Sequence, residues 1–149
     1  MDWMHYRFLS RWPLPATTPD TVYAVLERPE DYPRWWPQVR SVTRLDADTG
    51  VITIRSALPY AMTCTLRTAR RDPATGTLEV TLSGDIEGWA RWTVTPDGTG
   101  TLVRYEQEVD VRKPLLRRLA VPGRPLFRLN HRLMMRAGHR GLLRHLRAV

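Results

Sequence analysis

The chain has 149 residues, 42% hydrophobic and 26% charged, which is the size and composition of one globular domain and excludes a disordered or fibrous chain. The lone cysteine, Cys64, excludes an internal disulfide and a zinc site built from paired thiolates, and no apolar stretch reaches the length of a membrane span. The net charge of +8 attracts polyanions at long range, yet nearly all of it is arginine, with Lys113 the only lysine, a bias that GC-rich coding also produces without functional pressure.

The amino terminus, MDWMHYRFLSRW, lacks the basic start and apolar run of a signal peptide, and with a reduced cysteine this gives a cytoplasmic expectation. Residues 5 to 12 alternate, with Tyr6, Phe8, Ser10 and Trp12 on one side, and so predict a strand. In TTPDTVYAVLERPEDY, Thr18 can cap a helix, Pro19 suits its first turn, Asp20 complements the dipole, and Val22, Tyr23, Val25 and Leu26 form the apolar stripe. Pro29 stops that helix. A short helix or turn over Glu30 to Tyr32 leads into PRWWPQV, where the flanking prolines argue against a regular element. One ring of the pair Trp35 and Trp36 is expected to be buried as a plug and the other to be partly exposed.

From Val39 onward, short extended runs alternate with turn clusters at 46 to 50, 72 to 76 and 96 to 100, each holding aspartate and ending in glycine. They predict a meander with strands over 39–46, 51–58, 61–71, 77–84, 87–95 and 101–112. Gly84 and Gly88 predict a turn or bulge and a bend in the sheet. By parity, Tyr105 and Gln107 face inward with Val103, as do Ala90 with Trp92, Leu82 with Leu78 and Val80, and Met62 with Cys64 and Leu66.

Pro114, Pro122 and Pro125 break the segment after Lys113 into a short helical turn and a connection, in which Leu115 to Val121 either touches a membrane surface or packs under the last helix. Pro125 fits the first turn of a long helix running to about Leu146. Leu126, Phe127, Asn130, Leu133, Met134, Ala137, Gly138 and Gly141 project to its apolar side and Arg128, Arg132, Arg136 and Arg140 to the other. A glycine inside a helix costs about 1 kcal/mol relative to alanine, so Gly138 and Gly141 are expected to mark a close approach to the sheet or room for a ligand.

This order of elements resembles the START-like superfamily, which includes plant Bet v 1 allergens and polyketide cyclases, and within it the bacterial branch labelled polyketide cyclase/dehydrase. The resemblance covers essentially the whole chain. It rests on F-x-S-x-W-x-L at 8 to 14, YPRWWPQV at 32 to 39, the alternation Gly88, Ala90, Trp92, Val94, T-x-V-x-Y at 101 to 105 and FRLNHRLMMRAGHRGL at 127 to 142. The arginine-rich final helix departs from the pattern. The resemblance implies an α+β helix-grip fold, a seven-stranded curved antiparallel sheet wrapped around the C-terminal helix. It also implies an apolar cavity between them, open near the first helices and the hairpin tips.

The residues expected to line that cavity are Trp36, Met62, Cys64, Leu82, Ala90, Trp92, Tyr105, Gln107, Asn130, His131, Met134 and Gly138. Trp92, Tyr105, Gln107 and Asn130 are either the few polar groups that orient a ligand or core residues with satisfied hydrogen bonds. His131 has the chemistry of a general base and is otherwise structural, while His5, His139 and His145 read as surface residues. Asp85, Glu87, Glu106, Glu108 and Asp110 fall mostly on the outward parity, where arginines can pair with them. No histidine pair has ligand spacing, and no nucleophile elbow, phosphate loop or dinucleotide fingerprint occurs, so neither a metal nor a cofactor is expected.

The expected function is binding of a hydrophobic small molecule, a lipid, polyketide or isoprenoid. The alternatives are a cyclase or aromatase acting in the same cavity and an arginine-mediated interaction protein with the cavity closed. No nucleic-acid partner and no stable membrane insertion are expected, and a homodimer is left open.

Overall fold

The computed structural model describes residues 5–55, 61–112 and 120–148. Strand β1 (His5–Leu14) is followed by helix α1 (Pro19–Leu26) and a 3-10 helix (Pro29–Arg34). Next come β2 (Val39–Arg44), β3 (Thr49–Arg55), β4 (Ala61–Asp72), β5 (Thr77–Gly84), β6 (Ile86–Asp97) and β7 (Gly100–Val111), and last the long helix α2 (Ala120–Arg147). This is the helix-grip order. Helix α1 begins as its sequence dictates: the Thr18 side chain accepts the N–H of Thr21 at 3.3 Å, and Val22, Tyr23 and Leu26 are buried. The expected extension of β3 to residue 58 and the segment after Lys113 lie outside the described residues.

The strands form one antiparallel sheet in the order β1-β7-β6-β5-β4-β3-β2. Consecutive strands β1 and β2 therefore sit at opposite edges, and α1 with the 3-10 helix carries the chain from one edge to the other. Gly88 allows β6 to approach β7 closely, without a shift in register. It adopts φ +154°, and a Cβ there would strike the carbonyl oxygen of Glu108 on β7, so only glycine permits the close approach. Two irregularities that sequence parity does not reveal reset the inward face, one between Val39 and Ser41 and one between Thr68 and Arg70. The first puts Val39 and Val42 on the same wall despite their odd spacing. The second pairs Arg71 with Leu78, which faces the interior.

Helix α2 starts at Ala120, five residues before Pro125, so that proline lies inside the helix and not in its first turn. Ring closure at Pro125 removes one backbone donor there. The buried side of α2 is rotated from the projected one: Phe127, Met135, Gly138 and Leu142 are buried, whereas Leu133, expected inside, is 45% exposed. The Leu126 side chain is outside the described residues.

Gly138 and Gly141 do mark a close approach, but its main partner is the loop after the 3-10 helix and not the sheet alone. A Cβ on Gly138 would lie 2.6 Å from Trp36 Cε2 and 2.9 Å from Trp12 Cη2, and one on Gly141 would collide with the Trp35 carbonyl oxygen. Trp36 Nε1 donates to the carbonyl oxygen of Met134 at 2.9 Å. Both Trp35 and Trp36 are only 4% exposed, so the expectation of one exposed ring is corrected: the helix covers the pair. His139, expected at the surface, instead stacks on Trp12 at 5.7 Å and places Nε2 2.8 Å from the Pro13 carbonyl. On a solvated helix face, Gly141→Ala would stabilise by about 1 kcal/mol. Here it is predicted to destabilise by about 1–3 kcal/mol, because backbone cannot yield as a side-chain tip can. Chemical denaturation of the two proteins measures the sign.

Candidate functional site

Between the concave face of the sheet and α2 lies a cavity of about 180 Å³. Its walls are built by alternation. Ile52 and Ile54 come from β3, Met62, Cys64 and Leu66 from β4, Leu78, Val80 and Leu82 from β5, and Ile86, Ala90 and Trp92 from β6. Met134 and Met135 of α2, Leu26 of α1, and Tyr32 and Trp36 beside the 3-10 helix close the other side. At the rim stand Glu27, Pro29 and Glu30 beside the β2–β3 hairpin residues Ala47, Asp48 and Thr49, which places the mouth near the first helices and a hairpin tip. An ion pair crosses it, Arg44 to Glu30 at 2.9 Å.

Polar groups deep in the wall are concentrated on the side away from that hairpin. Gln107 of β7 is buried, and its Oε1 accepts the Tyr105 hydroxyl at 2.7 Å and lies 3.1 Å from Nε2 of His131. With Oε1 acting as acceptor, His131 is the tautomer protonated at Nε2. The imidazole lies flat on Phe8 of β1, ring centroids 3.7 Å apart and planes 10° from parallel. Removal from water disfavours the imidazolium, and the His131 pKa falls to about 4. Burial moves Tyr105 the opposite way, raising its pKa, and does the same to the Cys64 thiol. At neutral pH the trio is therefore uncharged, and it offers hydrogen bonds in a largely apolar enclosure.

A second chain of hydrogen bonds fixes the wall. Trp92 Nε1 donates at 3.1 Å to the Tyr32 hydroxyl, which in turn donates to the Leu26 carbonyl, so α1, the 3-10 helix and β6 are tied at one point. Trp92 also meets Tyr105 with ring centroids 4.6 Å apart and Trp12 at 5.1 Å.

Of the twelve residues expected from sequence, Trp36, Met62, Cys64, Leu82, Ala90, Trp92, Tyr105, Gln107, His131 and Met134 line the cavity. Gly138 does not; it is spent on the contact with Trp36 and Trp12. Asn130 is half-buried and also outside the lining, because α2 is rotated so that His131 points in. Among the lining residues missing from the expectation were Leu26, Tyr32, Val39, Val42, Ile52, Ile54 and Met135. The alternation in VITI signals the β3 pair, whereas the irregular step after Val39 hides the β2 pair.

On the outer face only part of the expected pairing with arginine holds. Glu106 meets Arg91 at 3.8 Å and Glu87 meets Arg112 at 3.6 Å. Glu108 and Asp110 instead face His5, at 3.7 and 2.9 Å, because β1 lies against β7 in that register. Asp85 accepts the Thr63 N–H at 2.8 Å, fixing the sharp β5–β6 connection.

Seven antiparallel strands gripping a long helix around an apolar cavity define a helix-grip domain of the START and Bet v 1 type. The chain belongs to the family described as polyketide cyclase/dehydrase and lipid transport, whose model matches residues 14–149. A START superfamily protein from Mycobacterium smegmatis is 16% identical, with 97% of each chain covered and a TM-score of 0.73. The Zhui aromatase/cyclase from Streptomyces sp. R1128 is 17% identical over 95% of this chain and 92% of its own, also with a TM-score of 0.73. The major latex-like protein 151 of Panax ginseng is 10% identical over 95% and 97%, with a TM-score of 0.69. At such identities the likeness is one of fold. No curated protein sequence matches the chain.

The buried imidazole gives the site a pH signature. A folded-state pKa of about 4 for His131, below the unfolded value near 6.5, means that the unfolded chain binds more protons between the two. Stability is then complete above about pH 6.5 and is lost as pH falls toward 4, by up to about 3 kcal/mol. His131→Phe keeps a ring on Phe8 but cannot titrate. Between pH 7 and 4.5 the wild type is predicted to lose about 2 kcal/mol more stability than this variant, as measured by denaturant melts; equal losses would show that His131 titrates normally.

Proposed function

We propose that the protein binds a hydrophobic small molecule, of the lipid, polyketide or isoprenoid kind, between the sheet and α2. The observation that carries this reading is the cavity itself, apolar around most of its wall, with Tyr105, Gln107 and His131 as a localised set of hydrogen-bonding groups. A few convergent polar groups in an apolar enclosure orient a ligand more than they attract it. An apolar cavity of about 150 Å³ accommodates benzene, so this one fits a body of one or two rings, and a longer chain extends through the mouth beside the β2–β3 hairpin. The family's lipid-transport description is consistent with this reading, and an open cavity argues against an interaction protein with a closed core.

A cyclase acting on a ligand in the same place is the second reading, supported by the same trio and by the likeness to an aromatase/cyclase fold. Proton transfer is most effective when the group's pKa lies near the working pH. A His131 pKa of about 4 and a raised Tyr105 pKa therefore favour binding without turnover. Ring closure of a linear poly-β-ketone by the wild type, lost in His131→Phe, would establish the cyclase instead.

Trp36 and Trp92 stand in the wall, so tryptophan fluorescence reports an occupant. Titration with 2-naphthol is expected to saturate, and Ala90→Phe, which fills the cavity, to weaken binding at least about tenfold. Gln107→Leu is expected to weaken 2-naphthol about fivefold, through one lost hydrogen bond, while sparing naphthalene. Unchanged binding in Ala90→Phe would refute the assignment of the site.

A further inference from the structure

The distribution of charge along the chain is lopsided. All fifteen acidic residues lie at or before Asp110, whereas the last 39 residues carry eleven lysines and arginines and no acidic side chain. The whole positive excess therefore belongs to α2 and the segment leading into it. On α2 the exposed positions include Arg128, Arg132, Arg136, Arg140, Arg144 and Arg147, and none of them forms an ion pair with a described residue. Elsewhere Arg44, Arg70, Arg91 and Arg112 each meet a carboxylate, while Arg7, Arg11, Arg40, Arg55, Arg67, Arg71 and Arg104 meet none among the described residues; what sets α2 apart is that it carries no acidic side chain at all beside its cations.

Among the helix cations stand two large apolar side chains, Leu129 and Leu133, 46% and 45% exposed. At 100° per residue they project into the same arc as the arginines, about 160° wide, and the face from residue 128 to 147 is about 28 Å long. The opposite side of the helix carries His131 and Met134 of the cavity.

We propose that this outward face of α2 docks on an anionic lipid surface, with the arginines against the headgroups and Leu129 and Leu133 entering the boundary of the acyl region. Charge complementarity supplies the attraction, since unpaired cations near an anionic leaflet each add about fivefold to partitioning. The leucines choose the partner. An interfacial helix takes apolar side chains between its cations, whereas a nucleic-acid backbone offers them nothing, and no aromatic residue on this face provides a platform for bases. Binding is peripheral and sensitive to salt, without insertion of a spanning segment; among the described residues no helix is apolar enough to cross a membrane. Docking by this face does not depend on what the cavity holds, and it would bring the cavity to within about one helix diameter of the lipid.

The test is co-sedimentation with phosphatidylcholine vesicles containing none or roughly 30% phosphatidylglycerol. Binding is expected to the anionic vesicles alone and to weaken as salt is raised. The triple variant Arg132→Glu, Arg136→Glu, Arg140→Glu is expected to lose at least about a hundredfold in partitioning, and Leu129→Ala with Leu133→Ala about tenfold. All five residues are exposed, and thermal melts verify that the variants remain folded. The proposal is overturned if anionic vesicles do not bind at low salt, if neutral vesicles bind equally, or if the leucine variant binds anionic vesicles as the wild type does. Tighter binding to a DNA or RNA duplex than to the vesicles would likewise overturn it and assign the face to nucleic acid.

Discussion

The contact on which the rest depends is that of the α2 backbone with three tryptophans. Gly138 and Gly141 give up about 1 kcal/mol each in helix propensity, and in return the helix rests on the indoles of Trp12 and Trp36 and on the main chain at Trp35. That separation brings the Met134 carbonyl within 2.9 Å of Trp36 Nε1. It also brings His139 flat against Trp12. One end of the helix is thereby held hard against β1 and the loop. The residues of α2 that line the cavity, His131, Met134 and Met135, precede the clamp by about one to two turns. A cavity survives because the packing that would collapse it has been taken up by tryptophans at its end.

The electrostatics of the interior follow from the same geometry. His131, which α2 turns into the cavity, is kept neutral by burial and held by Phe8 and Gln107. Among the described residues the arginines of the helix lie on its outer side. A single element thus separates a largely apolar chamber from a strongly basic surface, so cavity and surface can be altered independently by substitutions on opposite sides of one helix.

Much of this was legible in the sequence because strand alternation is a local property. Leu78, Val80 and Leu82, or Ala90 and Trp92, declare their side by period two. The same reasoning failed where backbone geometry breaks the period: the irregular steps after Val39 and Thr68 depend on pairing with β3 and β5, which no single strand encodes. The rotation of α2 was misjudged for a related reason. An amphipathic projection averages hydrophobicity, so it draws Leu133 inside and leaves Met135 unassigned. The real constraint is steric and comes from Trp36, which fixes Gly138 inward and carries Met135 and Leu142 with it. Nor did sequence foresee that His139 would find Trp12, since that pairing joins residues 127 positions apart along the chain.

The central claim is that an apolar body is held in this chamber with its polar end toward Gln107. Diffraction from crystals soaked in 2-naphthol tests it most directly. The account predicts density for the fused rings between Leu82, Ala90 and Met134, with the hydroxyl within hydrogen-bonding distance of Gln107 or His131. A chamber filled by its own side chains, or a naphthol bound only at the outer surface, would contradict it.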